Sequence, residues 1–255
     1  MEHLETISSH VAAITSGWSG GNAGAVALEN FTIAIDTTNS PERGKTFRAE
    51  LDAHFGLPVK YTLLTHHHSD HASGLDGFGD TSIISSKQTA KKIQNLTRVH
   101  FYPTIIIDRM HQITDGDYAV EIYHSGGHTS DSSYLYFPQE KIVFVGDLVF
   151  EGYLFFAGYQ SDPNKWIEAM EQIKKLNPRK IIPGHGPVLE KATSLDKHIT
   201  LLRAFRDSIL DAVSEKKDPK TMDVPEFVFE VSKRLPKEEL VKWFRRTAIS
   251  WFRKV

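Results

Sequence analysis

A cluster of histidines and aspartates follows an apolar segment near residue 60. The stretch is YTLLTHHHSDHASG, and its spacing is His66-x-His68-x-Asp70-His71. In extended backbone alternate side chains point to the same side, so His66 and His68 can reach one metal ion together. Asp70 and His71 follow where we expect the chain to turn into a helix. Neutral imidazole and carboxylate groups suit zinc, iron or manganese, so the spacing predicts a metal site.

Two ligands do not complete a metal site, and three further candidates stand in favourable places. They are His128 in SGGHTSDSS, Asp147 in IVFVGDLVF and His185 in KIIPGHGPV. Each follows an apolar, strand-like run or lies in a glycine turn, where a rigid scaffold commonly presents functional side chains. The chain contains no cysteine. Any metal must therefore be held by imidazole and carboxylate groups alone.

The elements that would position these residues alternate between strands and helices over most of the chain. VKYTLLT, KIVFVGD and RKIIPG are typical of buried strands, and each runs directly into a candidate ligand. Residues 41–55 and 162–177 have helical apolar spacing with proline in the first turn. From residue 194 onward only helical patterns occur. We therefore predict a catalytic domain over 1–193 and a C-terminal helical extension over 194–255.

Composition limits the classes of function. With 255 residues, 40% of them hydrophobic, the chain can bury a full core. A net charge of -2 gives no global basic field, so we expect no nucleic-acid partner. No segment approaches the roughly 18 apolar residues of a membrane span, and the N-terminus lacks a cationic start, so we expect a cytoplasmic location. Trp243, Phe244, Trp251 and Phe252 could form a homodimer face or bind a membrane surface, but aromatics at helical spacing are more often core.

The complete pattern of H-x-H-x-D-H, followed by a distant His, Asp and His, resembles the metallo-β-lactamase superfamily over about residues 7–188. The resemblance implies an α/β fold, an αββα four-layer sandwich in which two sheets pack back to back between outer helices. It also implies that Asp36, which ends the strand FTIAID, orients the ligand side chains. The implied ligands are His66, His68 and His128 for one metal and Asp70, His71 and His185 for a second, with Asp147 bridging.

By the same resemblance, the expected activity is that of a dinuclear metal-dependent hydrolase. Two divalent cations, with zinc favoured over iron or manganese, can share a bridging hydroxide that attacks an ester, lactone or thioester. The negative charge of Asp147 would offset part of the repulsion between the cations. Asp70 could accept a hydrogen bond from the hydroxide and later protonate the leaving group. The expected partner is a small-molecule acyl substrate.

Members of the superfamily differ in substrate, and three alternatives stay open. Glyoxalase II binds glutathione through a lysine and a tyrosine after the bridging aspartate. Here that loop is EGYLFFAGYQSDP, which has no lysine, although Arg203 and Arg206 could substitute. A persulfide dioxygenase-like enzyme would use a single iron. A nuclease is less favoured, because the long insertions and basic groove of such enzymes are missing.

The apolar character of the same loop points to a lactonase-like or esterase-like enzyme. Its aromatic residues suggest a hydrophobic acyl or lactone portion, and Tyr153 or Tyr159 could donate a hydrogen bond to a carbonyl. We therefore expect a medium-chain aryl ester, lactone or thioester to be preferred over lactoylglutathione.

Four polar residues near the motifs have simpler interpretations. His67 points away from its neighbours if the strand persists, so we place it behind the ligands or at the surface. His111 and His124 lie near apolar strands without ligand spacing. Asp131, in HTSDSS, is interpreted as a turn cap.

Overall fold

A computed structural model of the chain describes residues 3–15, 20–94, 103–155, 157–158, 160–231 and 235–252. The strands in these ranges are β1 Glu5–Thr6, β2 Val11–Ile14, β3 Ala23–Ala27, β4 Thr32–Ile35, β5 Val59–Leu63, β6 Ser82–Ser86, β7 Ile105–Ile107, β8 Met110–Asp115, β9 Tyr118–His124, β10 Ser133–Phe137, β11 Ile142–Phe150 and β12 Lys180–His185. The α-helices are α1 Pro41–Phe55, α2 Ser69–Ala72, α3 Lys87–Ile93, α4 Pro163–Lys175, α5 Leu195–Ser214, α6 Phe227–Val231 and α7 Lys237–Trp251.

Helix α1 shows why the sequence folds locally as it does. The Ser40 side chain accepts a hydrogen bond from the Arg43 backbone N–H, and proline occupies the first turn, where its missing N–H costs nothing. Gly56 ends the helix in a left-handed conformation with φ 63°. Phe47 and Leu51 are buried against the sheet. The predicted helix over 41–55 is confirmed.

The first sheet contains β1 to β7 in sequence order. Strands β1 to β4 pair antiparallel, whereas β4 to β7 pair parallel. Parallel neighbours require crossover connections, which α1, α2 and α3 supply. The carboxyl ends of β4 and β5 therefore lie at the same edge, and the segments leaving them carry Asp36 and the histidine motif.

The second sheet has the order β12-β11-β10-β9-β8. Strand β11 pairs parallel with β12, and α4 makes the crossover between them. Strand β9 pairs antiparallel with β10, and β10 with β11, so β9 runs in the same direction as β11 and β12. The segments that carry His128, Asp147 and His185 consequently meet at one edge.

Hydrophobic side chains hold the two sheets face to face. One buried cluster joins residues of the first sheet, such as Val26 and Leu63, to residues of the second, such as Leu135 and Phe144. Helix α1 covers the outer face of the first sheet, and α4, through Trp166, covers that of the second. The predicted αββα four-layer sandwich is confirmed.

The C-terminal helices pack onto the outer face of the second sheet. Phe205, Phe244 and Trp251 are fully buried in the same cluster as the residues of α4. The Trp251 indole N–H donates to the Ser161 hydroxyl at 2.7 Å, which ties the last helix to the loop before α4. Phe244 and Trp251 thus belong to the core, as their spacing predicts, and Trp243 and Phe252 pack against it while partly buried. The division at residue 193/194 and a homodimer through these helices stay predictions.

None of the helices within the described ranges is long and apolar enough to cross a lipid bilayer.

Candidate metal centre

The seven predicted ligands meet where the carboxyl edges of the two sheets adjoin. His66 and His68 lie in the loop after β5, and Asp70 and His71 lie on the short helix α2. The seven form two groups, within each of which the potential ligand atoms lie within 4.8 Å of one another. The groups are His66, His68, His128 and Asp147, and Asp70, His71 and His185.

Asp147 lies between the two groups. Its Oδ2 atom is 3.2 Å from Nε2 of His128 and 3.4 Å from Nε2 of His66. Its Oδ1 atom is 3.0 Å from Nε2 of His71 and 3.3 Å from Nε2 of His185. Each carboxylate oxygen therefore faces a different group, an arrangement that would let this one side chain contact two cations.

Several buried atoms at this point lie close to one another without forming a well-aligned hydrogen bond within the described part of the chain. They are Nε2 of His66, Nε2 of His71 and Oδ1 of Asp147. Leaving a buried polar atom unpaired costs about 1–3 kcal/mol, so such atoms rarely converge without a ligand. Imidazole nitrogens and carboxylate oxygens are donors for zinc, iron and manganese. The residues present fit divalent cations at both groups.

The protonation of the histidines also fits metal binding. Burial lowers the pKa of His66 and of His128, which favours the neutral imidazole that ligates metals. Burial acts in the same direction on His71 and His185, but carboxylates, Asp147 above all, outweigh it. They raise the pKa of His71 and raise that of His185 to about 9. The carboxylates thus favour the protonated, positively charged form of these two rings. A bound divalent cation would supply that positive charge in place of the protons.

Two of the seven side chains are accessible. The side chains of His68 and Asp70 are 29% and 28% exposed, whereas the other five are 4% exposed or less. A molecule from solvent therefore reaches the centre from the side of His68 and Asp70.

Asp36 supports the ligands from behind, where the resemblance places it. Its carboxylate accepts hydrogen bonds from the Thr65 backbone N–H and hydroxyl, both at 2.8 Å, and lies 2.9 Å from Nδ1 of His71. Holding Nδ1 directs Nε2 of His71 toward Asp147. Asp36 has φ 59°, a left-handed conformation that costs a non-glycine residue about 1–3 kcal/mol. The backbone after β4 therefore adopts an unfavourable conformation at Asp36, and this conformation directs the carboxylate toward Thr65 and His71.

Glycines make room for the ligands. A Cβ atom on Gly184 would lie 2.1 Å from Oδ1 of Asp147, and one on Gly21 would lie 2.5 Å from Nε2 of His71. The pairing of β11 with β12 shifts register on both sides of Gly146, an irregularity of the kind that re-aims side chains beside active sites. The glycine turns of the sequence therefore shape the centre.

Asp131 has a larger role than the turn cap expected from the sequence. Its carboxylate is fully buried and accepts the His67 backbone N–H at 3.0 Å, with Nδ1 of His67 at 3.1 Å. It also accepts the Thr89 hydroxyl at 2.9 Å and the Lys92 ammonium at 2.7 Å. It thereby fastens the loop carrying His66 and His68 to α3. No local pattern signals this, because 64 residues separate Asp131 from His67.

We expect Asp131→Asn to destabilise the protein by about 1–3 kcal/mol at pH 7, because hydrogen bonds to charged groups are lost. Burial alone would raise the pKa of this carboxyl, but hydrogen bonds from His67 and Lys92 outweigh burial and hold the pKa well below its usual range. Its contribution is present above the unfolded-state pKa of about 4 and is lost as the pH falls below it. Urea denaturation at several pH values measures this, with the exposed Asp117→Asn as control. Equal stabilities of the two variants at pH 7 would contradict the role of Asp131.

The loop after Asp147 does not, as a whole, form the exposed apolar binding surface that its composition suggests. Leu154 and Phe155 are buried, and the Phe155 ring packs 5.2 Å from that of Trp166. They belong to the core because the C-terminal helices cover them. Tyr153 is also buried but lines a cavity described below. Tyr159 lies outside the described residues.

The remaining polar candidates stand apart from both ligand groups. Arg203 and Arg206, the proposed substitutes for a glutathione-binding lysine, form ion pairs with Glu171 and Asp207. His124 lies 3.1 Å from the Ser130 carbonyl through Nε2. Neither His111 nor His124 belongs to either group.

The fold and the centre define the class of protein. The chain belongs to the metallo-beta-lactamase superfamily, whose family model matches residues 16–185. A curated relative, "Beta-lactamase-like protein 2 homolog" of Caenorhabditis elegans, is 28% identical over 67% of this chain and 57% of its own length. Another, "2,4-dinitroanisole O-demethylase subunit alpha" of Nocardioides sp. (strain JS1661), is 30% identical over 63% of this chain and 51% of its own length.

Among solved structures, a metallo-beta-lactamase from Pontibacter korlensis shares the fold. It superposes with a TM-score of 0.70 at 24% identity, covering 80% of this chain and 99% of that one. The present chain spans only between half and three fifths of the length of the two curated relatives. The activities of those whole proteins are therefore not carried over to this chain.

Proposed function

We propose that the protein is a dinuclear metal-dependent hydrolase that cleaves an ester, lactone or thioester. The observation that carries the proposal is the Asp147 carboxylate, whose two oxygens face two separate groups of ligand atoms. The groups would hold two divalent cations, and we propose zinc first, because catalytic zinc sites commonly combine imidazole with carboxylate donors, as both groups do. When bound, the cations acidify water to give a nucleophile near neutral pH and stabilise negative charge on the carbonyl oxygen.

Asp70 is the residue best placed to handle the proton. Its Oδ2 atom lies 3.3 Å from Nε2 of His185, and its side chain is 28% exposed on the accessible side. Burial would raise the pKa of Asp70, but His71 and the hydrogen bond from His185 outweigh it and hold the pKa well below its usual range, so the carboxylate is ionised. The ionised carboxylate can orient the attacking water through a hydrogen bond and take up the proton released as the water adds to the acyl carbon, a proton that its low pKa makes it ready to give up again. It returns that proton to the leaving oxygen or sulfur as the bond to the acyl carbon breaks.

The C–O or C–S bond to be cleaved belongs, in this proposal, to a small acyl compound. One relative is named as an O-demethylase, which also cleaves a bond to oxygen in a small aromatic compound. Arg203 and Arg206 already form ion pairs with Glu171 and Asp207, which argues against their binding the carboxylates of glutathione. We therefore favour a medium-chain aryl ester, lactone or thioester over lactoylglutathione.

Elemental analysis of protein purified without chelator tests the dinuclear proposal. We expect about two metal ions per chain, because both ligand groups are complete. The same preparation should hydrolyse 4-nitrophenyl hexanoate with a higher kcat/KM than lactoylglutathione.

Two results would redirect the assignment. One tightly bound iron per chain, with oxygen consumption on a persulfide, would replace the hydrolase proposal with the mononuclear-iron alternative. Two metal ions with a clear preference for lactoylglutathione would make the protein a glyoxalase II.

A further inference from the structure

We propose that a cavity between the end of β11 and the C-terminal helices holds the uncharged, apolar part of the substrate. This inference rests on the proposed hydrolase function and names its substrate class. The cavity has a volume of about 590 Å³, within the range of small-molecule sites. Its apolar lining consists of Phe150, Tyr153, Leu201, Ala204 and Phe227.

The cavity and the candidate metal centre share a wall. The Phe150 ring, which lines the cavity, stacks on the His185 ring with centroids 5.0 Å apart and an interplanar angle of 7°. The same ring lies 5.6 Å from that of His128. The next residue, Glu151, donates its backbone N–H to the His185 carbonyl at 2.9 Å. The Phe150 residue therefore borders both the cavity and ligands of the two metal groups, and in this proposal the acyl chain passes the edge of its ring to place the carbonyl at the centre.

The charges around the cavity select against an anionic ligand. The Glu151 carboxylate is paired with Lys197 and, at 2.9 Å, with His198, and Asp196 is paired with Lys174. These pairs engage both basic side chains among the described lining residues, Lys197 and His198. Glu230, the remaining acid of the lining, adds negative charge. A neutral hydrocarbon or aryl group is the occupant that this surface accommodates.

Helices α5 and α6 supply part of the apolar lining of the cavity. Leu201 and Ala204 lie three residues apart and so share a face of α5, and Phe227 begins α6. The loop residues Leu154 and Phe155 do not line this cavity. The C-terminal helices therefore determine which substrates fit, although they contribute none of the seven candidate ligands.

Direct binding of a neutral probe tests the cavity without relying on catalysis. Saturation-transfer NMR with 4-phenyl-1-butanol gives the Kd for the wild type, for Ala204→Trp and for the control Leu210→Trp. Leu210 is on the same helix but 41% exposed. We expect Ala204→Trp to weaken binding about tenfold or more, and Leu210→Trp to leave it unchanged. Ala204→Leu, which fills less of the cavity, should weaken it about threefold and provides a second test if Ala204→Trp does not fold.

Activity then tests the link to the metal centre. In wild type, kcat/KM for 4-nitrophenyl esters should rise up to about fourfold for each methylene added from acetate to hexanoate, and in Ala204→Trp this rise should disappear. Equal probe binding in all variants, or tighter binding of 4-phenylbutyrate than of the alcohol, would overturn the proposal. An unchanged chain-length dependence in Ala204→Trp would overturn it as well. Loss of probe binding in Ala204→Trp without hydrolysis by any variant would support the apolar site and contradict only the hydrolase function.

Discussion

Asp147→Asn is expected to lose metal from both groups and to lose hydrolysis with it. The carboxylate directs one oxygen at each group, so its replacement by a neutral amide weakens both sites together. Residues that merely support a ligand change metal affinity by about 10–100-fold, and we expect the loss of a shared ligand to cost at least about 100-fold at each site. Metal content after dialysis against a weak chelator, measured alongside kcat/KM, gives the result.

His185→Ala is the matched comparison for Asp147→Asn. His185 lies near Oδ1 of Asp147 and belongs to the second group only, so its removal should empty mainly that group. If both variants lost one ion and kept the other, Asp147 would not be a bridging ligand.

Gly184→Ala is expected to disable the centre without changing any candidate ligand. The added Cβ would lie 2.1 Å from Oδ1 and 2.6 Å from the backbone nitrogen of Asp147, far inside van der Waals contact. The carboxylate must move, and a displacement of about 1 Å can cost about 100-fold in rate. Metal content and kcat/KM should both fall.

Gly56→Ala is the control for the same chemical change at a distance from the centre. Gly56 has φ 63°, but a Cβ there meets nothing within 4 Å. The substitution should cost about 1–2 kcal/mol of stability through its left-handed conformation and leave metal content intact. Normal metal content and activity in Gly184→Ala would show that the position of Asp147 tolerates displacement.

The candidate ligands could be singled out from the sequence because their signals are local, and their division between two metal ions follows from the resemblance to the superfamily. The alternation of His66 and His68 and the turn into a helix at Asp70 are set by backbone periodicity. The positions of Asp147 and His185 at the ends of apolar runs follow from the tendency of strands to present functional groups at their ends. Parallel pairing then brings separate strand ends to one edge.

The surroundings of the ligands could not be predicted, because they depend on distant packing. The hydrogen bond from His67 to Asp131 joins segments 64 residues apart. The composition of its loop suggests that Phe155 contacts substrate, but in the structure its ring packs against Phe205 of α5 and Trp251 of α7. An apolar loop has the same composition whether a ligand or another helix covers it, so only the tertiary structure distinguishes the two.

The contribution of both sheets to one centre has a consequence for the order of folding. Each strand of the first sheet neighbours the strand before it in sequence, so that sheet can assemble progressively as the chain leaves the ribosome. His66 to His71 are then in place, but His128, Asp147 and His185 arrive only with the second sheet. The first ligand group is complete once β11 brings in Asp147, whereas the second lacks His185 until β12 has paired with β11. Completion of the second group is therefore a late step of maturation, and a nascent chain arrested before residue 185 can hold only the first group.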